Sequence, residues 1–364
     1  MSPATESLVK KLVVLATAVG LGSALAFLLV ACGTATATPA RPRPAVWEFL
    51  PKAPIAARGL AGLTSVWTGR KLVVTAVRPG PDGTFVGSKN VAATYDPRTR
   101  TWSRIAPLPK MDNYCRQDAA WTGREVLFWG CSQAALDPRA GSWRTLPKAP
   151  AGMGFLSWTG RELLSWGGGC CGDASRDGSA YDPAANTWRT IAKTPLPPEQ
   201  GALGAWTGHE LTLVVSGYSP DGRPYPASFA RAAAYDPKTD SWTRLAAPPA
   251  GALRYGGTAA WTGRELLVVA QHAALAYDPE ANSWRSLARP PRSLTPREAF
   301  WTGRRLLVLG GGEAERLFAF DPKADRWTAL PPVPVQGSQQ TAAWTGTRLI
   351  VFGNAGGASF DPGD

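Results

Sequence analysis

Histidine is almost missing from this chain: its 364 residues include two, His209 and His272, beside five cysteines and three methionines. A zinc site needs more, because no second Cys pair and no His stands at ligand spacing. A helical period is missing from the body of the chain as well. No run of basic residues interleaves with aromatics, so nucleic acid is left without its usual footprint. No nucleophile motif appears. Residues 167–172 (GGGCCG) are glycine-rich, but they follow a strand and precede no helix, which is poor context for a phosphate loop. The chain is thus read without metal, cofactor or nucleic acid.

What it has is repetition. A Trp-Thr-Gly element begins at Trp67, Trp121, Trp158, Trp206, Trp261, Trp301 and Trp344. An Asp-Pro element begins at Asp96, Asp137, Asp182, Asp236, Asp278, Asp321 and Asp361. A second Trp stands at Trp47, Trp102, Trp143, Trp188, Trp242, Trp284 and Trp327, so fourteen of the 16 tryptophans hold two repeat positions. A period of roughly 40–50 residues reads as a solenoid, propeller or array.

Residues 256–291 show the unit most clearly. Thr-Ala-Ala-Trp runs into a Thr-Gly turn, where glycine supplies a positive φ at no steric cost. An apolar Leu-Leu-Val-Val strand leaves that turn. A third strand ends at Tyr-Asp-Pro, where Asp bonds its own backbone ahead and Pro presets φ. A fourth strand carries Ser-Trp and stops at proline, which cannot donate to a ladder. Four short strands per unit is the signature of a β-propeller. The count is out of phase: Trp47 is a fourth strand with nothing before it, and the last unit stops where a fourth strand is due. The expectation is an all-β, seven-bladed propeller of four-stranded antiparallel blades over residues 46–364. Strand 46–50 (VWEFL) would complete the C-terminal blade and close the ring.

The repeat resembles Kelch propellers of the galactose-oxidase-like kind, whose pattern is a Gly pair closing the second strand, then a Tyr, then a Trp. The pair is intact at Gly167-Gly168 and Gly310-Gly311, and partial at Gly130 and Gly353. Leu136, Phe320 and Phe360 replace the Tyr in three blades. The resemblance implies the fold. It does not carry over the copper chemistry of galactose oxidase, which needs two histidines and a tyrosine joined to a cysteine.

One long apolar run exists, residues 12–31, preceded by Lys10-Lys11 and closed by Leu29-Val30-Ala31-Cys32. That order reads as a secretory signal over residues 1–31. Its last four residues resemble a bacterial lipobox, in which Cys32 is lipidated and becomes the mature N-terminus. The alternative is an uncleaved transmembrane anchor, the run being near the ~20 residues that span a bilayer. Either way the propeller is expected outside the cytoplasm, in a bacterial cell envelope, as a monomer joined to the membrane. Residues 33–45 (GTATATPARPRPA) read as a Pro-rich tether. The formal charge of +12 favours anionic partners, although Arg70, Arg124, Arg161, Arg264 and Arg304 sit one per turn, like a solvated rim.

Cys115, Cys131, Cys170 and Cys171 remain, and an even count in an exported chain points to disulfides. Cys115–Cys131 would span one hairpin, leaving Cys170 and Cys171 as a vicinal pair or reduced. Pairing between blades is the alternative.

The Thr-Gly and Asp-Pro turns lie at one end of every blade and stay short, while the loops at the other end vary, with insertions at residues 77–90, 168–178 and 216–230. Variable loops on a rigid scaffold are where binding usually lives. Polar residues enter the innermost strands from that end: Arg116, Gln117 and Asp118, then Glu199 with Gln200, Arg254 and Tyr255, Arg297 and Glu298, Gln339 and Gln340. If they converge on the axis, they suit an anionic or sugar-like ligand. The leading expectation is a non-enzymatic module binding a protein or carbohydrate. The alternative is a sugar-acting enzyme of the mutarotase or epimerase kind, using Arg and carboxylate groups at the channel. A water-filled channel of satisfied polar groups is the bland reading.

Overall fold

In a computed structural model the described residues are 45–56, 59–82, 88–109, 117–130, 133–151, 154–169, 174–217, 219, 221, 223–226, 229, 231–253, 256–311, 315–335, 339–354 and 356–363. Residues 1–44, with the signal, Cys32 and all of the tether but Ala45, lie outside them, as do the other four cysteines, Arg116, Arg254 and Tyr255. The described residues form 28 strands in seven four-stranded antiparallel sheets and no helix. This is the seven-bladed propeller that the repeat implies. Blades one to six take consecutive strands. Blade seven takes Gln340–Trp344, Leu349–Gly353 and Gly356–Asp361, and its fourth strand is Val46–Phe49. Val46 stands opposite Asp361 and Phe49 opposite Ala358, and Leu50 N–H donates to Gly357 O at 2.9 Å. The ring therefore closes by strand pairing, as expected.

Blade five shows how each position acts. In the first hairpin Thr258–Trp261 pairs with Leu266–Val269, and Thr262 Oγ1 accepts from Glu265 N–H at 2.9 Å across the turn. Leu266 stands opposite both Trp261 and Tyr277, which puts the Thr-Gly and Asp-Pro turns at the same end. Second and third strands are buried on both faces, hence their unbroken apolar runs. The fourth strand, Ser283–Ser286, is the outer edge, and only its Trp is tucked inward.

Seven apolar clusters fill the seven seams between neighbouring blades. Each holds one first-strand Trp and one fourth-strand Trp, such as Trp261 with Trp284 between blades four and five. Burying one such Leu or Val side chain contributes about 1.5–3 kcal/mol, so the seams supply most of the attraction.

A directional bond crosses every seam. Each fourth-strand Trp donates its Nε1–H to a backbone carbonyl four residues after the corresponding Trp of the preceding blade. The acceptors are Pro51, Ala106, Pro147, Ala192, Ala246, Ala288 and, for Trp47 at the closure, Pro331, at 2.7–3.0 Å. Where the acceptor residue is Ala192, Ala246 or Ala288, its own N–H is also taken, by Asp240, Asn282 and Asp325 respectively, at 2.8–3.0 Å. Those three residues occupy the left-handed position of the Asp-Pro turn, with φ between 45° and 48°. Asn and Asp tolerate that conformation, and here they also latch the neighbour. Tyr277 donates to the same Asn282 Oδ1 at 2.8 Å, and burial pushes its phenol up to about 12, so it remains a donor.

Arg189–Glu162 and Arg285–Glu265, at 2.9 and 2.8 Å, tie a fourth strand to its Thr-Gly turn. In blade seven the pair is inverted: Arg348 is on the turn and Glu48 on the strand, 3.0 Å apart.

Two outcomes follow from the seams. Trp284→Phe keeps an aromatic ring but loses the donor to Ala246, and should cost about 1 kcal/mol, read as a lower guanidinium midpoint with unchanged slope. Glu48→Arg should cost up to about 1 kcal/mol, and adding Arg348→Glu should give a double variant more stable than either single one.

Candidate functional site

The first strands surround the axis, and their entry ends line a cavity of about 810 Å³. The position three residues before the first-strand Trp reaches it in five blades, as Thr64, Asp118, Phe155, Glu298 and Thr341. The five share a register, because each stands opposite the corresponding second-strand residue: Thr75, Trp129, Trp166, Leu309 and Phe352. One repeat position thus supplies a ring of side chains around the axis.

The wall at blades three and four is mostly backbone, with Gly154, Gly168, Gly169 and Gly201 in it. The approach is close: Gly168 N–H donates to Glu199 O at 2.9 Å, and Glu199 N–H donates to Ser175 O at 3.0 Å. Gly167 has φ +70°, and a Cβ there would lie 2.8 Å from Glu199 O. The glycine pair after the second strand is what lets the next blade enter here. The Glu199 carboxylate serves this junction. It accepts from Gln200 N–H at 3.1 Å and from Ser216 Oγ at 3.2 Å.

The opposite wall, blades six and seven, carries the charge. Arg297 Nη1 lies 2.5 Å from Glu315 Oε1, and its Nε lies 3.4 Å from Glu298 Oε1. Burial pushes the Glu315 carboxyl up and Arg297 opposes it. Glu315 Oε2 has no hydrogen-bond partner. Ser65 and Thr341 share a hydroxyl bond of 2.9 Å between blades one and seven. Gln340 Nε2 donates to Val335 O at 3.0 Å, while its Oε1 is buried and unpartnered. Across the cavity, Gln200 Nε2 is likewise buried without an acceptor.

Of the residues expected to converge, Asp118, Arg297, Glu298 and Gln340 do line the cavity, with Gln200 and Gln339. Glu199 stands behind the wall, holding backbone. Gln117 opens its strand opposite Gly130, and nothing further is described of its side chain. Arg297, expected as a clamp for an anion, is already engaged by two carboxylates. Sequence reasoning missed Glu315, Thr64 and Ser65. Thr64 was detectable because it shares the repeat position of Asp118 and Glu298, and Ser65 because it is polar where blades two, five and seven have Ala. His209 is exposed beside Thr207, in the turn position where other blades have Arg, and His272 is exposed in its loop.

No family model and no curated protein matches this sequence. Among solved structures, a chain from the crystal structure of a mitotic checkpoint complex is similar, with a TM-score of 0.58 at 15% identity over 93% of this chain and 98% of that one. The structure of YjhT is similar with a TM-score of 0.52 at 14% identity, over 78% of this chain and 100% of that one. At such identities the likeness is one of fold.

Glu315, which holds the cavity residue Arg297, has a measurable signature of its own. The folded state holds its proton more tightly than the unfolded chain does. Its contribution is therefore fully present below the ordinary glutamate value of 4.5 and is lost as pH rises through the raised folded value. Melting temperature against pH should fall across that window, and Glu315→Gln should flatten the fall.

Proposed function

We propose that this chain is an extracytoplasmic binding module whose axial cavity takes a neutral, hydroxyl-rich ligand, a carbohydrate. The observation that carries the reading is the amide-bearing lining of one hollow, with Gln200 on one side and Gln339 and Gln340 on the other. Amide side chains both donate and accept, as sugar hydroxyls do, so the two match. Asp118 and Glu298 add acceptors. The engagement of Arg297 by Glu298 and Glu315 disfavours an anion at that wall. The volume lies within the range of about 300–1,000 Å³ common to small-ligand sites.

The rest of the reading rests on the sequence. It is a Kelch-type repeat protein, on its glycine pairs and Trp spacing. Residues 1–31 direct export, Cys32 carries lipid, and residues 33–45 tether a monomeric propeller to the membrane of a bacterial envelope. Cys115, Cys131, Cys170 and Cys171 form disulfides in that oxidising setting. A second reading, an enzyme moving a proton on the bound sugar, is favoured by one observation. Arg297 and Glu298 line the cavity side by side, Nε to Oε1 at 3.4 Å, a carboxylate with an orienting cation.

The test is a glycan array followed by titration calorimetry on the full chain. Gln200→Leu should weaken the best ligand about tenfold without lowering the melting temperature, and Gln340→Ala should weaken it likewise while lowering the melting temperature through loss of the bond to Val335 O. Failure to bind any glycan, or affinity indifferent to both changes, would sink the carbohydrate reading.

A further inference from the structure

The two ends of the propeller differ in charge pattern. At the end opposite the cavity mouth, the residue after each Thr-Gly is Arg70, Arg124, Arg161, Arg264 or Arg304 in five blades, and all five are exposed. The residue after each Asp-Pro adds exposed Arg98, Arg139, Lys238 and Lys323 against a single carboxylate, Glu280. Part of the acid on this rim is engaged locally, with Asp96 beside Arg70 at 3.9 Å, while Asp240 and Asp325 add exposed carboxylates. The Asp137 and Asp321 carboxylates are held low by N–H groups of their own turns, and Glu162 and Glu265 are taken by Arg189 and Arg285. Among the exposed tip residues, cations therefore outnumber carboxylates.

Two further observations say what this rim meets. First, the described chain enters the propeller here. Val46 stands opposite Asp361, and Asp361 belongs to the Asp-Pro turn of the closing blade, so strand Val46–Phe49 begins at this rim. Second, the rim is cleft between blades two and three by a hollow of about 620 Å³. Arg124, Arg144 and Arg161 line it together with Glu125, which Arg144 engages, and Asp137; Trp143 and Trp158 are in its wall. Exposed guanidinium groups with half-buried indoles beside them match the layer where phosphate headgroups meet acyl chains.

We infer that this rim docks on a membrane surface through anionic phospholipid headgroups, with the hollow between blades two and three seating a headgroup. The cavity mouth then faces away from the membrane. The orientation rests on the anchoring proposed above, whereas the lipid contact does not. Long-range attraction brings the rim down, and each arginine near an anionic leaflet strengthens contact about fivefold.

The experiment uses the full chain with its own N-terminus on vesicles of phosphatidylcholine alone, or of phosphatidylcholine mixed with phosphatidylglycerol. Hydroxyl-radical footprinting reads both faces by mass spectrometry. Residues 121–124 and 158–161 should be about fivefold less reactive on the anionic vesicles. High salt should abolish the difference. Peptides carrying Arg297 should react alike on both. The triple variant Arg124→Ser, Arg161→Ser and Arg264→Ser changes only exposed tips and should lose the protection while keeping its melting temperature. Equal rim reactivity on both vesicle types would overturn the inference. So would protection by soluble polyphosphate with none from vesicles, which would give the rim to a polyanion. Failure of the anchor shows separately, as a chain that does not float with neutral vesicles, and leaves the anionic comparison readable.

Discussion

The bond from a tryptophan Nε1–H to the backbone carbonyl of the preceding blade is the constraint on which this molecule's geometry depends. It is made at every seam, including the closure from Trp47 to Pro331. Each such bond contributes about 1 kcal/mol, far less than the apolar cluster beside it. Its value is directional. Apolar burial holds two sheets face to face but leaves them free to slide or twist. A hydrogen bond from a rigid indole to a fixed carbonyl selects one spacing and one angle. Repeated around the circle, that selection leaves a ring of seven with matching ends.

The partner of that constraint lies in backbone chemistry. Ala192, Ala246 and Ala288 are gripped at both polar groups, carbonyl and N–H. Pro51, Pro147 and Pro331 stand at the same repeat position and have no N–H to offer. The following turns answer in kind. Asn186, after Pro147, turns its amide oxygen to Arg144 at 2.8 Å, and Arg100, after Pro51, donates to Phe49 O at 3.2 Å. Blade two departs from the pattern, with Gly141 at the left-handed position beside Ala106.

The fold was legible because its signals repeat. Trp-Thr-Gly, Asp-Pro and the second Trp fix four strands per unit, and the stray Trp47 strand gives the closure away. The cavity was less legible. Asp118 and Glu298 share a repeat position, so alignment of the units could place both at the axis. Glu199 looked the same in sequence, yet its carboxylate holds Gln200 and Ser216, a use that depends on the path of a loop specific to blade four. Glu315 lies in an insertion between second and third strands, where nothing in other blades predicts its position. Arg297 and Glu298 were visible, but their pairing and the second carboxylate, Glu315, were not. Those two carboxylates occupy the cation that an anion clamp would need.

The inverted pair at Glu48 and Arg348 has a consequence for assembly. Seven nearly equivalent blades create a hazard: the free closing strand of one molecule has the same Trp and almost the same register as six others. Docked on the turn of blade two, three or five, Glu48 would meet Glu125, Glu162 or Glu265 in place of a cation. Conversely, a strand bearing Arg144, Arg189 or Arg285 would meet Arg348 in the open blade. Like charges across the ladder are mismatched mates. The reversal thus works as an address for blade seven, steering the closing strand away from the turns of blades two, three and five.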